Sequence, residues 1–303
     1  MFLPAGQREK IMKKGPLCVL ICYLFWGMLA IFWKLLAAIP PVCLLALRIL
    51  WSVVFIGGIL LVRRRGDAVR AVLRDRKEWL RLSAAGVLIC INWGVYIWAV
   101  NSGHILDSSL AYYMNPILAI ALGTLLFGER LSGLQWMSVA VTAAGLVIAV
   151  LRYGRFPWAS LVIGGSFALY GAVKKKVHSD ADISLFFETL TLTPVMAAIV
   201  LWSELHGAGA IGALHGWQWL LLPMAGVVTT LPLLFFAVGI KETSMTLSGI
   251  LMYVNPTLQL LIGVLLYHER FTTTHGILFG FVWTGLALYL ISSLRRREKE
   301  IVR

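Results

Sequence analysis

Three charged side chains lie within long apolar stretches of the chain: Lys34, Arg48 and Glu188. Charges at membrane depth are rare, and they usually face the protein interior or a cavity and are paired there. Arg48 lies about eight residues into its apolar stretch, ~12 Å along a helix, which is too deep for easy contact with water. Such residues can bind an oppositely charged solute or carry a proton. The alternative is that they only fix the packing of helices.

These charges suggest different roles. Lys34 is nearer the end of its stretch, so its ammonium group can reach the surface along its flexible stem. We expect Arg48, together with Lys34, to attract an anionic group. Glu188 could form a salt bridge with Arg48, or it could balance charge and bind a proton if it is unpaired in one state of the protein.

A polar and aromatic stripe lies in the third apolar stretch, where Asn92, Trp93 and Tyr96 occur together. Asn92 and Tyr96 are four residues apart, so they share one face of a helix. An amide and aromatic rings on one face can grip a solute that has a polar and an apolar part. We therefore include all three residues in a predicted solute pathway.

The sequence contains two nearly identical segments. Residues 113–130 and 253–270 align without a gap, and nine of the eighteen aligned positions are identical. The informative identities are Tyr-x-Asn-Pro, one glycine and Glu-Arg. Each copy begins with a tyrosine, Tyr113 or Tyr253, that could enclose the apolar part of a solute. Repetition at this scale indicates a duplicated architecture.

Each copy also places a proline within an apolar helix, at Pro116 and Pro256. Proline has no N–H group, so one carbonyl of the preceding turn loses its partner and the helix kinks. The preceding residues, Asn115 and Asn255, add polar groups that are costly in lipid unless they face protein or a cavity. The pattern predicts two related bends that line a pathway. The alternative is a packing kink that neighbouring helices seal.

The elements that must hold these residues are membrane-spanning helices. Of 303 residues, 59% are hydrophobic and only 14% are charged, far below the usual share of charge in a soluble protein. A bilayer core of ~30 Å requires about 20 apolar residues per helix. The sequence contains ten such segments: 16–36, 40–62, 82–101, 107–127, 132–151, 157–174, 183–202, 216–239, 244–267 and 274–293. Between the second and third, residues 63–81 predict a short helix at the inner surface.

The distribution of charge orients the chain. There are 27 Lys and Arg residues against 14 acidic residues, and most of the basic ones fall on one side if the N-terminus is cytoplasmic. Ten spans divided by the repeat give two units of five, residues 1–151 and 152–303. Because five is odd, the second unit must be inverted relative to the first. The predicted fold is all-α and integral to the membrane, with both termini cytoplasmic and basic loops on anionic lipid heads.

Several other classes of protein are disfavoured. Basic and aromatic residues do not interleave on a solvated face, so we do not expect nucleic-acid binding. No catalytic constellation, metal site or nucleotide-binding loop occurs, so we predict neither enzymatic activity nor a cofactor. The cysteines have no metal or redox spacing and are interpreted as apolar packing residues. The spacing of Ser132 and Gln135 predicts a capping box at the start of the fifth helix, with Glu129 a structural part of the preceding turn.

The chain resembles the RarD family, in the EamA-type branch of the drug/metabolite transporter superfamily. The resemblance covers about residues 14–293 and rests on Tyr-x-Asn-Pro, on Gly128 to Trp136, on Asn92 to His104, on Pro157-Trp158 and on Glu188-Thr189. It implies a ten-helix permease of the inner membrane with a central cavity between two bundles. The family name refers to chloramphenicol sensitivity, while relatives export amino acids and other metabolites. The second repeat departs from the pattern, with His268 where the first has Gly128.

The expected function is secondary transport of a small metabolite, an amino acid-like solute or a drug across the cytoplasmic membrane. Two inverted halves that exchange conformations would open the site to each side in turn. The alternative is a membrane-embedded sensor or partner-binding protein that binds a solute without moving it.

Overall fold

A computed structural model of the chain describes residues 5–101, 105–153, 156–266, 268 and 273–301. These residues form α-helices and one short 3-10 helix, and they contain no β-strand. The helices are α1 (Ala5–Lys34), α2 (Pro41–Val62), α3 (Gly66–Arg74), α4 (Arg76–Asn101), α5 (Ile105–Phe127), α6 (Gly133–Tyr153), α7 (Trp158–Lys176), α8 (Ala181–Leu205), α9 (Leu221–Glu242), α10 (Met245–Met252), α11 (Val254–Leu266) and α12 (Thr273–Ile301).

The all-helical prediction is confirmed. Seven helical segments are long and apolar enough to cross a membrane, and two shorter apolar helical stretches, Ala111–Phe127 and Gly276–Ser292, accompany them. Large apolar side chains such as Leu61 and Leu125 remain about four-fifths exposed on the helix surfaces. An apolar exterior of this kind is stable in contact with lipid and unfavourable in water. The chain is therefore a multi-pass membrane protein.

The two predicted proline bends differ. Pro116 lies inside the continuous helix α5, whereas the helix that contains Pro256 is divided at Tyr253 into α10 and α11. Tyr253 N–H donates to the Ile250 carbonyl, three residues back, as in a tight helical turn. Proline leaves the carbonyl four residues earlier without an amide partner in both halves. The helix itself is interrupted only in the second half, at Tyr253.

The separate helix predicted over residues 63–81 is shorter than expected. Only α3 forms the separate helix, and the chain turns at Asp75 before α4 begins at Arg76. Asp75 Oδ1 accepts hydrogen bonds from the Lys77 and Glu78 backbone N–H groups, which caps the first turn of α4. This cap, which the sequence analysis misses, makes residues 76–81 part of a membrane helix.

The predicted capping box at the start of α6 is confirmed. Ser132 N–H donates to Gln135 Oε1 at 2.8 Å, and the Gln135 N–H donates to Ser132 Oγ at 3.3 Å. These reciprocal bonds satisfy amide groups that have no partner inside the helix. Glu269 and Arg270, the second copy of the Glu-Arg pair, lie outside the described residues.

Helices of the first 151 residues pack mainly on helices of the remainder. Helix α1 packs on α9 and α11, α5 packs on α7 and α10, and α2 packs on α8 and α9. Helix α4 packs on α7 and α8, and α6 pairs with α12. Gly86 and Gly226, which correspond to each other at the offset of the repeat, lie at close approaches of α4 to α8 and of α9 to α2. A Cβ atom at either glycine would run into the facing backbone, so these contacts require glycine.

Candidate solute-binding cavity

A cavity of about 470 Å³ lies where helices of the two parts of the chain meet. Its walls come from α1, α2, α4 and α5 on one side and from α7, α9, α10 and α11 on the other. Six of the residues in the predicted pathway line it: Arg48, Asn92, Trp93, Tyr96, Asn115 and Asn255. Its volume is in the range of small-molecule sites, ~300–1,000 Å³.

Arg48 is the charged residue among the lining residues in the described part of the chain. Its guanidinium carbon lies 3.9 Å from the ring centre of Trp93 and 5.2 Å from that of Trp33. Such stacking stabilises a partly buried cation by cation–π attraction. Its Nε atom is buried and has no hydrogen-bond partner. The salt bridge with Glu188 that the sequence leaves possible is not formed, because Glu188 is paired with Lys174.

The asparagines of the cavity hold helices in place. Asn92 Nδ2 donates to the Ile163 carbonyl at 2.6 Å, and Asn115 Nδ2 donates to the Gly164 carbonyl at 3.0 Å. Both bonds tie the first part of the chain to α7. Asn255 Oδ1 accepts a hydrogen bond from Gln259 Nε2 at 2.8 Å, one turn along α11. The cavity wall is therefore polar at defined points, and two of its asparagines hold α4 and α5 against α7.

Aromatic rings form much of the remaining wall. Tyr96 meets Tyr112 edge-on with ring centres 6.0 Å apart, and Trp26 meets Phe167 at 5.3 Å. Sequence reasoning missed Tyr112, Trp26 and Phe167, together with Gln259, as lining residues. Gln259 could have been found, because it lies four residues after Asn255 on the same helix face.

The repeated tyrosines lie elsewhere. Tyr113 and Tyr253 are buried in an apolar cluster with residues of α6 and α12, and the Tyr113 ring meets Phe279 at 5.7 Å. Tyr253 Oη donates to the Tyr113 carbonyl at 3.4 Å. Neither tyrosine is among the lining residues. Together they join α5 to the α10–α11 break.

Three other predicted residues also fall outside the lining set. Pro116 and Pro256 are both buried, and each lies directly after an asparagine that does line the cavity. Lys34 ends α1 with an exposed side chain, one residue beyond the lining residue Trp33.

Glu188 forms a buried ion pair apart from the cavity. Lys174 Nζ lies 2.5 Å from Glu188 Oε1, and both side chains are essentially inaccessible to solvent. Ser184 Oγ donates to Glu188 Oε1 at 2.8 Å, and Tyr170 Oη donates to Oε2 at 3.0 Å. A buried ion pair is tolerated only when its remaining polar atoms are hydrogen-bonded, as these are. The unpaired glutamate considered from the sequence is thus absent in this structure.

Polar contacts join the two parts of the chain at one end of the helices, which we call the polar end. Glu78 Oε1 accepts from the backbone N–H groups of His178 and Ser179, just after α7. Within the second part of the chain, Lys241 at the end of α9 donates to the Ser179 carbonyl at 2.5 Å. Arg65 contacts Asp180, and this hydrogen bond raises the pKa of Arg65 above its usual value.

The end of α7 also contributes to the polar end. Lys175 Nζ donates to the Thr243 carbonyl at 2.5 Å, and the Lys176 ammonium lies 5.5 Å from the ring centre of Phe127. Glu129 accepts from the Met245 N–H at 2.6 Å and from the Thr246 N–H at 2.9 Å. Its carboxylate therefore caps α10 of the other part of the chain, which agrees with the structural role predicted for it.

The fold and the cavity define a class of protein: an all-helical, multi-pass membrane protein with a solute-sized chamber. Comparison with known families identifies the family to which the chain belongs. The EamA-like transporter family matches residues 13–151 and again residues 157–291. The chain belongs to this family, and it is a membrane transporter.

Close relatives support the assignment. The chain is 41% identical over 286 residues to the uncharacterized transporter YojE of Bacillus subtilis (strain 168), covering 93% of this chain and 95% of that protein. It is 35% identical over 297 residues to protein RarD of Streptomyces exfoliatus, covering 98% and 94%. Protein RarD of Escherichia coli (strain K12) is 31% identical over 287 residues, covering 95% and 97%.

The fold also matches a solved structure. A crystal structure of a protein with 19% sequence identity superposes with a TM-score of 0.70, over 93% of this chain and 98% of that one. At that identity the likeness shows a shared fold.

Proposed function

We propose that the protein is a secondary transporter that moves a small solute across the cytoplasmic membrane by alternating access. In this proposal ten helices cross the bilayer as two inverted units, residues 1–151 and 152–303, with both termini in the cytoplasm. The cavity between the units is the solute site. The observation that carries the proposal is this chamber of about 470 Å³, to which both units contribute lining residues.

The pairing of helices supports the inverted arrangement. At the offset of the repeat, α1, α4 and α5 correspond to α7, α9 and α10–α11. The contact of α1 with α9 therefore corresponds to that of α7 with α4. The contact of α5 with α7 likewise becomes that of α10–α11 with α1. The family match, which occurs once in each unit, supports the same division. Two equivalent units can exchange conformations, which is the basis of alternating access.

The contacts at the polar end suggest to which side of the membrane the cavity opens. With the N-terminus inside, the polar end is cytoplasmic and is closed between the two units by the contacts of Glu78 and Glu129. The cavity lies toward the opposite ends of the helices, since Arg48 is the eighth residue of α2 and Pro41 is the first. The state is then outward-facing. Inward opening requires the contacts at the polar end to separate.

Roles for the lining residues follow from their chemistry. Arg48 attracts a negative group, while Asn92, Asn115 and Asn255 set the width and polar points of the chamber. Trp93 and Tyr96 pack on the apolar part of the solute. Lys34 stands at the outer mouth, where it adds positive charge. Glu188 acts on helix packing through its pair with Lys174, and proton coupling would require that pair to open.

Solute flux tests the proposal directly. The purified protein is reconstituted into sealed vesicles, and uptake of amino acids, nucleosides and amphenicols is measured with and without a proton gradient. Uptake above that of empty vesicles is expected for at least one solute. Binding of solutes with no flux for any of them would contradict transport and favour the sensor.

Cysteine accessibility tests alternating access. In a variant without Cys18, Cys22, Cys43 and Cys90, a single cysteine replaces Leu44 in the cavity. A membrane-impermeant thiol reagent should label it from the outside, and labelling should slow when the inward state is populated. Val54→Cys, on the lipid-exposed face of the same helix, is the matched control and should not react. Equal labelling of both positions would contradict an aqueous chamber at Leu44.

A further inference from the structure

We propose that the cavity selects small organic acids that carry one carboxylate on an apolar, aromatic body. The inference rests on the proposed transport function, because it names the solute class for the same chamber. It makes a definite choice among the metabolites, amino acid-like solutes and drugs that the sequence leaves open.

The first step is the geometry of Arg48. The guanidinium carbon lies over the Trp93 ring at 3.9 Å, a stacking distance, with Trp33 also within cation–π distance. A stacked arginine keeps its N–H donors in its own plane, directed away from the rings. The buried Nε atom has no hydrogen-bond partner. A carboxylate fits such a group because its two oxygens can accept two parallel N–H bonds in that plane.

The second step is the balance of charge. The lining residues that the structure describes include one cation, Arg48, and no Asp or Glu. The carboxylate of Glu188 lies outside this set and is held by Lys174, Ser184 and Tyr170. A buried cation without a counter-ion is unfavourable. An anionic solute bound beside the Arg48 guanidinium supplies the missing negative charge.

The third step is the apolar wall. The aromatic residues of the lining are Trp26, Trp33, Trp93, Tyr96, Tyr112 and Phe167. Rings at these positions favour an aromatic solute, which they can meet edge-on or offset. The chamber volume of about 470 Å³ accommodates a ring and a short side chain together.

The same composition disfavours an ammonium group on the solute. Among the described lining residues there is no carboxylate to receive it, and Arg48 repels it. Asn92 and Asn115 use an amide N–H on backbone carbonyls, which leaves their oxygens as weaker, neutral acceptors. The cavity should therefore prefer an acid that lacks the amino group to the corresponding amino acid.

A matched set of probes tests this selection. Binding of 3-phenylpropionate, 3-phenylpropanamide, 3-phenylpropylamine, L-phenylalanine and the larger acid indole-3-butyrate to the purified protein is measured by calorimetry. We expect the phenylpropionate to bind at least ~10-fold more tightly than its amide, because the charged bidentate bond is lost in the amide. Equal affinities, tighter binding of the amine or of phenylalanine, or no binding of either acid would overturn the inference.

Variants locate the selection at Arg48. In Arg48→Gln the acid should lose its advantage over the amide, while the amide still binds and so reports an intact chamber. If that variant does not fold, Arg48→Lys, which keeps the charge but not the planar fork, should reduce the advantage several-fold. Arg70→Ala, an exposed arginine on α3 paired with Asp67, is the control and should leave all affinities unchanged. Retention of the full preference in Arg48→Gln would refute the assignment.

The outcomes separate the two proposals. Selective binding of the acids without flux in vesicles would refute transport and leave the binding class intact. Flux of uncharged amphenicols that is unaffected by Arg48→Gln would leave transport intact and refute the acid selectivity.

Discussion

Arg48 and Glu188 occupy corresponding positions of the two units, at the same offset as the repeated segments, and their surroundings differ sharply. Glu188 is paired with Lys174, accepts hydrogen bonds from Ser184 and Tyr170, and is sealed from the cavity. Arg48 faces the cavity, rests on two indole rings and has a buried Nε atom with no partner. A duplicated scaffold has thus placed a satisfied charge in one unit and an unsatisfied charge in the other. The first suits helix packing, and the second suits a ligand.

The strongest test of this contrast is removal of one member of the buried pair. Lys174→Met leaves the Glu188 carboxylate buried without its counter-ion, so we expect destabilisation of about 3–5 kcal/mol. Thermal unfolding of the purified protein in detergent measures it. The double variant Lys174→Met with Glu188→Gln should recover most of the loss, because no uncompensated charge remains. A single variant as stable as the parent would contradict the packing role.

The converse change should affect flux and spare stability. Arg48→Ala removes a cation that lacks a counter-ion, so the free energy of unfolding should change by less than about 1 kcal/mol or increase. Uptake of 3-phenylpropionate into vesicles should fall at least ~10-fold, because the charged anchor is lost. Unaltered uptake by a folded, inserted protein would remove Arg48 from the site.

Loss of the cap on α10 should have a smaller effect. Glu129→Ala removes the acceptor for the Met245 and Thr246 N–H groups, and we expect destabilisation of about 1–2 kcal/mol. Ser244→Ala, which removes the ordinary N-cap bond to the Leu247 N–H, should have a similar effect without touching the first unit. If only the serine variant lowers the melting temperature, Glu129 does not stabilise α10.

The smallest effect concerns the turns at Gly128 and His268, which also occupy corresponding positions of the repeat. Both have left-handed backbone, with φ of +63° and +53°. A side chain in this region costs about 1 kcal/mol, so His268→Gly should stabilise the protein by roughly that amount. Gly128→Ala should destabilise it equally. Melting temperatures that move in the same direction for both variants would contradict this explanation.

Much of this arrangement can be predicted from sequence because it depends on short-range patterns. Apolar runs predict the helices, and their bounds differ from the observed ones mostly by a few residues. Arg48, Asn92 and Asn115 are expected at a cavity because polar groups at membrane depth need protein or water around them. That argument depends on residue type and depth alone.

What could not be predicted depends on rotation and on partners. Tyr113 is repeated in the second unit, yet its neighbour Tyr112 faces the cavity, because successive residues of a helix point about 100° apart. Lys174 belongs by sequence to the basic residues of the inner surface. Helix α7 extends to Lys176, and Lys174 turns inward to Glu188 while Lys175 and Lys176 face other helices. Nothing local in the sequence states which of three adjacent lysines is buried.

That run of three lysines lets the end of α7 tolerate the loss of one residue from the helix. Lys174 contacts the Glu188 carboxylate and Lys175 the Thr243 carbonyl, while the ammonium groups of Lys175 and Lys176 both lie near the ring of Phe127. Deleting one residue upstream would rotate the helix end by about 100°, which would bring Lys175 to the position of Lys174 and Lys176 to that of Lys175. Inserting one residue would instead bring Val173 to the position of Lys174 and leave the Glu188 carboxylate without its counter-ion.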